Sequence, residues 1–357
     1  MKRETTSDSL EERAVHKTKR PTTSSNDSEG EAVSVEDLLN NDSLQSRMTL
    51  IDKEMKRFLD EHRGNPSVLY DAAHHLLLAG GKRLRSLITL LCCEAVRGDV
   101  REVLPFALAT ELLQTASLIH DDIIDEDFVR RGAKSTNRKF GAKIAVLAGD
   151  LLVAQAVQLV GDMATPEILV HLGRGGIRMC EGEAEDFLMS HDRPESFNRK
   201  RYLSVVEYKT ATFMKEAARI GALVGKASKA EQEALTKYGE MLGFAYQIRD
   251  DILDVIASQQ VAGKTVQSDL KGKRCNYPLV HALEVCSESE RMRCLEALDQ
   301  GRLDIVLQLI DETQAIEHAT ELAKTYVDRA KNVLDGHDFQ NISMLQEIAN
   351  FVLERIH

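Results

Sequence analysis

The chain of 357 residues carries 57 acidic and 46 basic side chains, which give a formal net charge of −11 at neutral pH. A general nucleic-acid-binding protein needs a basic surface, so this charge argues against that class, while a local basic cluster could still bind an anionic substrate. Hydrophobic residues make up 43% of the chain and Gly and Pro are sparse (21 and 6), a composition that favours a large helical core over strands.

The first segment, residues 1–47, is rich in Ser, Thr, Glu, Asp and Lys and poor in apolar side chains. Such a segment cannot bury enough surface to offset its ordering entropy, so we predict a disordered polar tail. It is a poor match to an Arg-rich, acid-poor organelle presequence, and no secretory signal is visible. The six cysteines lack the spacing of a zinc site, which favours reduced thiols and a cytoplasmic location, with targeting by the tail left open.

From Leu50 onward, apolar residues recur at helical spacing almost to the end of the chain, and no run of alternating β-branched residues stands out. We therefore predict one all-α domain of ten or more helices over residues 48–357. Polar residues interrupt the longest apolar stretch, residues 144–163, which predicts a buried helix and no membrane span.

A first cluster of positive charge lies at residues 80–85 (GGKRLR). The two glycines, Gly80 and Gly81, would let backbone N–H groups approach an anion at a helix start. Lys82 and Arg85 can supply charge-assisted hydrogen bonds to phosphate oxygens. Taken singly, such cations are more often surface side chains with buried stems, so the signal lies in their order relative to the motifs that follow.

Two aspartate motifs of identical spacing, DDxxD, occur at residues 121–125 (DDIID) and 250–254 (DDILD). On a helix the first and third Asp share a face, and the middle Asp lies beside them. Three carboxylates so close repel one another unless a cation is present, and oxygen ligands without His or Cys suit a hard ion such as Mg²⁺. One such motif alone could be an exposed acidic turn. Two inside apolar helical patterns predict patches that face each other across a cavity and clamp one diphosphate through metal ions.

Further cations follow in a fixed order around these motifs. Arg130 and Arg131 come after the first motif, Lys209 lies between the two, and Lys264 and Lys273 come after the second. Their joint order predicts a basic rim around the acidic patches, suited to phosphate groups.

With these segments, the sequence resembles the trans-isoprenyl diphosphate synthase family over nearly everything after the tail. The resemblance rests on GGKRLR, HDDIIDEDFVRRG (120–132), AVLAGD (145–150), the pair Lys209-Thr210, YQIRDDILD (246–254) and the pair Gly272-Lys273. It implies the isoprenoid synthase fold, a helical bundle around a central cavity, and a homodimer. It also implies a magnesium-dependent prenyltransferase that joins an allylic diphosphate to isopentenyl diphosphate (1'-4, trans) in isoprenoid biosynthesis.

The resemblance also implies roles for individual residues. Three Mg²⁺ ions per site would be held by the motif aspartates Asp121, Asp122, Asp125, Asp250 and Asp254, with Asp251 in support. The allylic diphosphate would be bound by the cations Arg130, Lys209 and Lys264. Isopentenyl diphosphate would be bound without metal by Gly81, Lys82, Arg85, Gln114 and Arg131. Thr210 and Gln247 would point oxygens at the developing carbocation, and Lys273 would help close the site.

The chain departs from the family's pattern at a few positions. Ser86 stands where the family often has Pro, and Gln114 where many members have His, although Gln also occurs there. The longer DDxxxxD variant of some short-chain members is absent. These departures change little in the implied roles.

Product length should depend on the depth of the apolar pocket behind the first motif. Ala116 and Ser117 lie five and four residues before Asp121, so Ala116 is ~7.5 Å away along a helix axis. Members of the family that stop at fifteen carbons typically carry bulky aromatics there, so these small residues predict an open tunnel and a long-chain product. Two alternatives stay open: Leu112 could stop growth near twenty carbons, at geranylgeranyl diphosphate, or the small residues could serve close helix packing.

Three other functions agree less well with the sequence. A terpene cyclase or head-to-head synthase has an Asp-rich motif but no need of a second, metal-free diphosphate site, against which Lys82, Arg85 and Arg131 argue. A non-catalytic subunit of a heteromeric synthase usually loses part of one Asp motif, and both are intact here. A purely structural role for a helical protein would not explain the two aspartate motifs and the cations around them.

Overall fold

Helices make up almost all the secondary structure of the computed structural model, which describes residues 42–191, 197–256, 268–272 and 274–354. All of these residues belong to one compact unit. The helices are α1 (Asp42–Glu61), α2 (Ser67–Leu78), α3 (Leu84–Ala95), α4 (Val100–Ile124), α5 (Thr136–Phe140), α6 (Ala142–Val160), α7 (Pro166–His191), α8 (Arg199–Val206), α9 (Thr212–Val224), α10 (Lys229–Ile256), α11 (Ser268–Lys271), α12 (Tyr277–Val285), α13 (Glu288–Asp299), α14 (Leu303–Glu312), α15 (Ala315–Asn332) and α16 (Ile342–Glu354).

Two features interrupt the α-helical pattern. A π-helical turn, Glu207–Ala211, joins α8 to α9. Strands β1 (Val129–Arg130) and β2 (Ala133–Lys134) form a short antiparallel ribbon directly after α4. The described residues contain no other strand. The prediction of an all-α fold is therefore confirmed.

The first helix begins earlier than the sequence indicated. Its apolar stripe starts with Leu44 and Met48, which are buried in the core, so residues 42–47 belong to α1 and not to a polar tail. The predicted boundary at residue 47 was wrong because the exposed Ser and Asp residues of this first turn hide its helical period. The rest of the predicted tail, residues 1–41, lies outside the described residues.

The central helices approach one another closely at glycines. A Cβ atom on Gly221 of α9 would lie 2.1 Å from the carbonyl oxygen of Thr89 on α3, and one on Gly239 of α10 would lie 2.6 Å from that of Met214 on α9. Both values are below contact distance, so only glycine permits these crossings. The packing of α3, α9 and α10, together with that of α4 on α6, fixes the ends of the helices that carry the two aspartate motifs.

Two described helices, α4 and α6, are long and apolar enough to cross a membrane by length and composition alone. Helix α4 is mostly buried inside the protein, as a core helix is. Helix α6 buries Ala145 and Ala148 on one face and exposes Val146, Val153 and Val157 on another, at 42, 41 and 57%. The prediction of a buried helix over residues 144–163 is therefore right for one face only, because the apolar residues of α6 surround more than the core-facing side.

The imidazole of His74 on α2 gives a prediction about pH. This side chain is buried, neither ring nitrogen has a hydrogen-bond partner, and burial lowers its pKa from 6.5 to about 4. Between these values the unfolded chain binds a proton that the folded chain does not, so stability is full above pH 6.5 and falls as the pH drops towards 4. Between pH 7 and 4.5, we expect the native protein to lose about 2–3 kcal/mol more stability than the His74→Phe variant.

Urea unfolding at the two pH values measures this effect. The half-exposed His337 supplies a matched control, because His337→Phe removes an imidazole outside the core. An equal pH dependence in native protein and the His74 variant would contradict the prediction.

Candidate active site

The two aspartate motifs lie at the C-terminal ends of long helices. Asp121 and Asp122 fall in the last turn of α4, which Asp125 caps, and Asp250 and Asp254 fall in the last turns of α10. A helix C-terminus carries partial negative charge from its unpaired carbonyls, so carboxylates are disfavoured there and cations are favoured. Both motifs therefore require positive charge nearby.

The cations beside the first motif do not fully offset the burial of Asp121 and Asp125. Burial, together with the neighbouring Glu183, raises the pKa of Asp121 well above its usual value. Burial also raises the pKa of Asp125 to about 6, although Arg274 and Lys209 act in the opposite direction. Carboxyl groups that are this reluctant to ionise gain strongly from an added cation.

Lys209 joins the first motif to two acidic residues that sequence reasoning missed. Its Nζ lies 2.7 Å from Glu183 Oε2 and 2.6 Å from Asp186 Oδ2, both on α7. Burial opposes its charge, but Asp186, Glu183 and Asp121 raise the pKa of Lys209 well above its usual value, so it remains cationic. The sequence offered only a weak signal for this pair, because Glu181 and Glu185 on the same helix are equally acidic.

The π-helical turn places neighbouring side chains on opposite parts of the site. Lys209 is paired with the acidic residues around the first motif, whereas Thr210 Oγ1 donates a 2.8 Å hydrogen bond to Oε1 of Gln247, three residues before the second motif. Such turns insert an extra residue into a helix and are frequent at functional sites. Lys209 and Thr210 therefore join the acidic residues near the first motif to Gln247, which precedes the second.

The middle aspartate of the second motif has a full set of partners inside the protein. Asp251 is buried and accepts hydrogen bonds from Tyr202 Oη (2.6 Å), Gln247 Nε2 (3.0 Å) and the backbone N–H of Tyr277 (2.9 Å). The bond to Gln247 orients the amide that also accepts from Thr210. Asp251 thus positions Gln247.

The middle aspartate of the first motif has a similar role. Asp122 is fully buried, and its Oδ1 lies 2.6 Å from a guanidinium nitrogen of Arg130, which also contacts Asp127 at 3.0 Å. Asp122 was predicted as an Mg²⁺ ligand and Asp251 as a supporting residue. Both lie in internal networks, because the second residue of each motif is rotated by about 100° from the first on an α-helix.

The predicted metal-free diphosphate site is partly assembled around Arg131. Its Nη1 donates to the carbonyl oxygens of Gly80 (2.5 Å) and Leu76 (2.9 Å). Gly81 has φ +140°, and a Cβ there would lie 2.8 Å from Cζ of Arg131, so the loop can enclose this guanidinium only with glycine. Glu111, another residue that the sequence analysis missed, lies 3.7 Å from Arg131.

The other members of this predicted subsite, Arg85, Gln114 and Lys82, lie on α3, on α4 and just before α3. Arg85 lies 5.8 and 6.0 Å from the ring centres of Phe213 and Tyr246, and both Asp121 and Asp250 are near enough to act on its charge. Burial lowers the pKa of Arg85, and these acidic neighbours oppose that shift. Gln114 is buried on α4, two turns before Asp121, and Lys82 is half-buried ahead of α3.

The segment after α10 returns to the site. Arg274 pairs with Asp125 at 2.8 Å, and the backbone of Tyr277, three residues later, binds Asp251, so this segment contacts both motifs. The sequence analysis did not identify Arg274. Lys264 and Lys273, which it did identify, lie outside the described residues.

The donor set suits a hard divalent ion. Within the described ranges, no three carboxylate, imidazole or thiolate groups converge on one point as metal ligands. Arg274 instead pairs with Asp125, one of the carboxylates that would bind an ion, and Lys209 pairs with the neighbouring Glu183 and Asp186. The crowded oxygen donors around Asp121 and Asp125, with raised pKa values and no nitrogen or sulfur ligand, fit Mg²⁺.

Comparison with known proteins identifies the family. The family model described as polyprenyl synthetase matches residues 66–312. The chain belongs to the polyprenyl synthetase family. It is 34% identical to the short chain isoprenyl diphosphate synthase of Methanocaldococcus jannaschii, over 86% of this chain and 94% of that protein. It is 30% identical to the octaprenyl diphosphate synthase of Haemophilus influenzae, over 84% and 92% of the two chains.

A solved structure shows the same architecture. The polyprenyl synthase of Caulobacter crescentus, crystallised with calcium and isoprenyl diphosphate, superposes with a TM-score of 0.80 at 28% identity, over 92% of this chain and 99% of that one. The predicted family and the isoprenoid synthase fold are thereby confirmed. As a polyprenyl synthetase family member, the chain is a prenyltransferase of isoprenoid biosynthesis that elongates prenyl chains.

Proposed function

We propose that this chain condenses an allylic diphosphate with isopentenyl diphosphate in a Mg²⁺-dependent trans reaction and releases a long-chain polyprenyl diphosphate. The observation that carries the proposal is the position of Lys209 and Thr210. They are adjacent on one π-helical turn, yet one pairs with acidic residues around the first motif and the other binds Gln247 beside the second.

The geometry supports different roles for the two diphosphates: one departs, and the other stays attached to its prenyl unit. Bound Mg²⁺ would be held by Asp121, Asp125 and Asp250, with Asp254 beside them, and it supplies positive charge to the departing diphosphate. Lys209 stays cationic and adds charge at the same place. The hydroxyl of Thr210 and the amide of Gln247 are held by hydrogen bonds, so their oxygens can stabilise an allylic cation without reorganising.

The second diphosphate has to stay attached to its prenyl unit. The guanidinium groups of Arg85 and Arg131 lie near the N-terminus of α3. They can bind that diphosphate without a metal ion. The double bond of isopentenyl diphosphate then attacks the allylic cation, and one proton is lost to complete the new alkene. Buried apolar side chains such as Ile119 and Ile248 exclude the water that would otherwise capture the cation.

Small buried side chains behind the first motif support the long-chain product. Ala116 and Ala109 are buried on α4, two turns apart, and the hydroxyl of Ser117 donates to the carbonyl of Gln114 on its own helix. Leu112 is also buried and would close the tunnel in the geranylgeranyl alternative. Named relatives include geranylgeranyl and geranylfarnesyl diphosphate synthases, so both lengths occur among similar proteins.

The deciding experiment is product analysis. Purified protein is incubated with labelled isopentenyl diphosphate, Mg²⁺ and allylic starters of increasing length, and the products are sized by chromatography. We expect products longer than twenty carbons. A sharp stop at twenty carbons would favour the geranylgeranyl alternative, hydrocarbon formation without incorporation would favour a cyclase, and no turnover would favour a non-catalytic subunit.

We also propose a homodimer, supported by the exposed valine stripe of α6. Val146, Val153 and Val157 lie at spacings of seven and four and so form one continuous apolar strip. Exposed strips of this kind mark protein–protein contacts, and Leu169 and Val170 on the following helix are exposed as well. We expect a mass twice the chain's 39.9 kDa in solution.

Light scattering after gel filtration tests the dimer. Val157→Asp places a charge in the strip and should shift the protein towards the monomer, because an unpaired charge in an apolar interface costs several kcal/mol. Val285→Asp, at a valine equally exposed on α12, is the matched control and should not change the mass. A monomeric native chain, or equal masses for all three proteins, would rule out this interface.

A further inference from the structure

A second concentration of positive charge lies outside the candidate active site, between α7 and α9. It is a cavity of about 260 Å³ whose lining includes four basic and two acidic side chains: Arg174, Arg178, Lys215, Arg219, Glu207 and Glu216. Arg174 and Arg178 are four residues apart on α7, and Lys215 and Arg219 are four apart on α9, so each pair shares a helix face. We call this cavity the basic groove.

Two of the four cations have no carboxylate partner within the described residues. The exposed Arg174 has no hydrogen bond or ion pair there, and Arg219 uses its Nε to bind Thr236 Oγ1 at 3.0 Å. The Nη groups of both guanidinium ions therefore retain donors for a ligand. An exposed arginine is ordinarily solvated, but two whose side chains line the same cavity are suited to a multivalent anion.

One of the two acidic side chains of the groove is committed elsewhere, and the other, Glu207, is exposed. Glu216 is buried and its Oε2 lies 2.7 Å from Nδ1 of His171, while Lys215 pairs with Glu240 at 2.8 Å. Arg178 lies 4.6 Å from the ring centre of Tyr208 and is paired with Glu181, which holds its guanidinium at the edge of the cavity. The groove thus carries four cations against two carboxylates, in a protein that is acidic overall.

The size and lining of the groove restrict its ligand. A volume of about 260 Å³ has room for about nine water molecules, at about 30 Å³ each, which matches a small anion such as diphosphate. All of the side chains that line the cavity are polar or charged, so the lining suits an anion better than a prenyl chain. We propose that the basic groove binds a small phosphate anion of the diphosphate class, at a site separate from the candidate active site.

The π-helical turn connects this groove to the chemistry. Glu207 and Tyr208 line the groove, while Lys209 and Thr210, the next two residues, belong to the candidate active site. A ligand that binds Arg178 and breaks its contact with the Tyr208 ring changes the surroundings of the residue next to Lys209. Diphosphate, the by-product of the proposed reaction, would therefore lower turnover from the groove as well as by competing for the active site. This regulatory part rests on the proposed function, whereas the binding site does not.

Calorimetry with inorganic diphosphate in EDTA tests the site on the full chain. We expect two binding events per chain, one in the active site and one in the groove. The variant Arg174→Gln/Arg219→Gln should weaken the second by about tenfold or more for each guanidinium removed. The control Arg293→Gln/Arg302→Gln makes the same charge change at exposed positions on another part of the surface and should keep both events.

Equal numbers of events in the native chain and the groove variant would overturn the proposal, as would equal losses in the groove and control variants. If the double variant fails to fold, Arg174→Gln alone keeps the test decisive, because its side chain is exposed.

Initial rates with added diphosphate test the regulatory part. In native protein, diphosphate should raise the apparent KM for the allylic substrate and lower kcat. In the groove variant the effect on KM should remain and the effect on kcat should disappear. Persistence of both effects would overturn the coupling. A native chain with no prenyl transfer would count against the proposed function, while calorimetry still decides the groove.

Discussion

Replacing Asp121 or Asp250 by Asn should reduce kcat by about 10³-fold, which corresponds to about 4 kcal/mol of transition-state stabilisation. Asparagine keeps the size of the side chain and removes the charge that would hold a metal ion at the leaving diphosphate. The Mg²⁺ concentration needed for half-maximal rate should also rise. Steady-state kinetics at several Mg²⁺ concentrations measure both effects.

Stability separates this loss from a folding defect. Because burial and Glu183 raise the pKa of Asp121, its ionised form is disfavoured in the metal-free protein, and Asp121→Asn should leave the metal-free Tm unchanged or raise it. Asp328→Asn, at an exposed position on α15, is the matched control and should retain full activity. Near-normal rates in either motif variant would count heavily against the metal roles.

The main elements of the site were predictable because their signal is local. The spacing of each DDxxD motif places two carboxylates on one helical face whatever the rest of the fold does. The glycines before Arg85 predicted an approach of backbone N–H groups to an anion, whereas the Gly80 carbonyl accepts from a guanidinium that also lies against Gly81. That guanidinium belongs to Arg131, a contact between residues far apart in the chain that no local pattern specifies.

The residues that sequence reasoning missed share a different property: their role depends on tertiary contact. Glu183 and Asp186 are two acidic residues among several on α7, and only the crossing of α7 at the π-helical turn selects them as partners of Lys209. Gly182 marks that crossing, since a Cβ there would lie 2.3 Å from the backbone nitrogen of Lys209. Arg274 is similar, because its pairing with Asp125 follows from the return of the chain after α10.

Helical periodicity did not reveal the partners of the middle aspartate of the second motif. Crowding of three carboxylates predicted a metal site with Asp251 in support, and a rotation of about 100° per residue gives Asp251 neighbours of its own. Tyr202, Gln247 and Tyr277 satisfy its oxygens, and these partners come from three separate segments. The second motif therefore combines two predicted metal-binding positions, Asp250 and Asp254, with a position that orients Gln247.

Substituting Ala116 by Phe should shorten the product to about fifteen or twenty carbons. Ala116 is buried on α4, and a phenyl ring there would fill the space behind the first motif that a growing chain has to enter. Ala109→Phe, seven residues and ~10.5 Å further along the axis, should block the chain later and give a product of intermediate length. Chromatographic sizing of the products of both variants, made from the same starter, shows which variant gives the shorter product.

The alternative role of these alanines, close helix packing, predicts a different outcome. Helix α6 faces α4 with buried Ala145 and Ala148, so an added ring that entered this interface instead of a tunnel would overpack it and cost about 1–3 kcal/mol or more. Thermal unfolding distinguishes the two cases. A shorter product with Tm close to native supports the tunnel, because the ring then occupies space meant for substrate. An unchanged product with a lowered Tm refutes it, because the ring has then displaced α6 and left the path of the chain open.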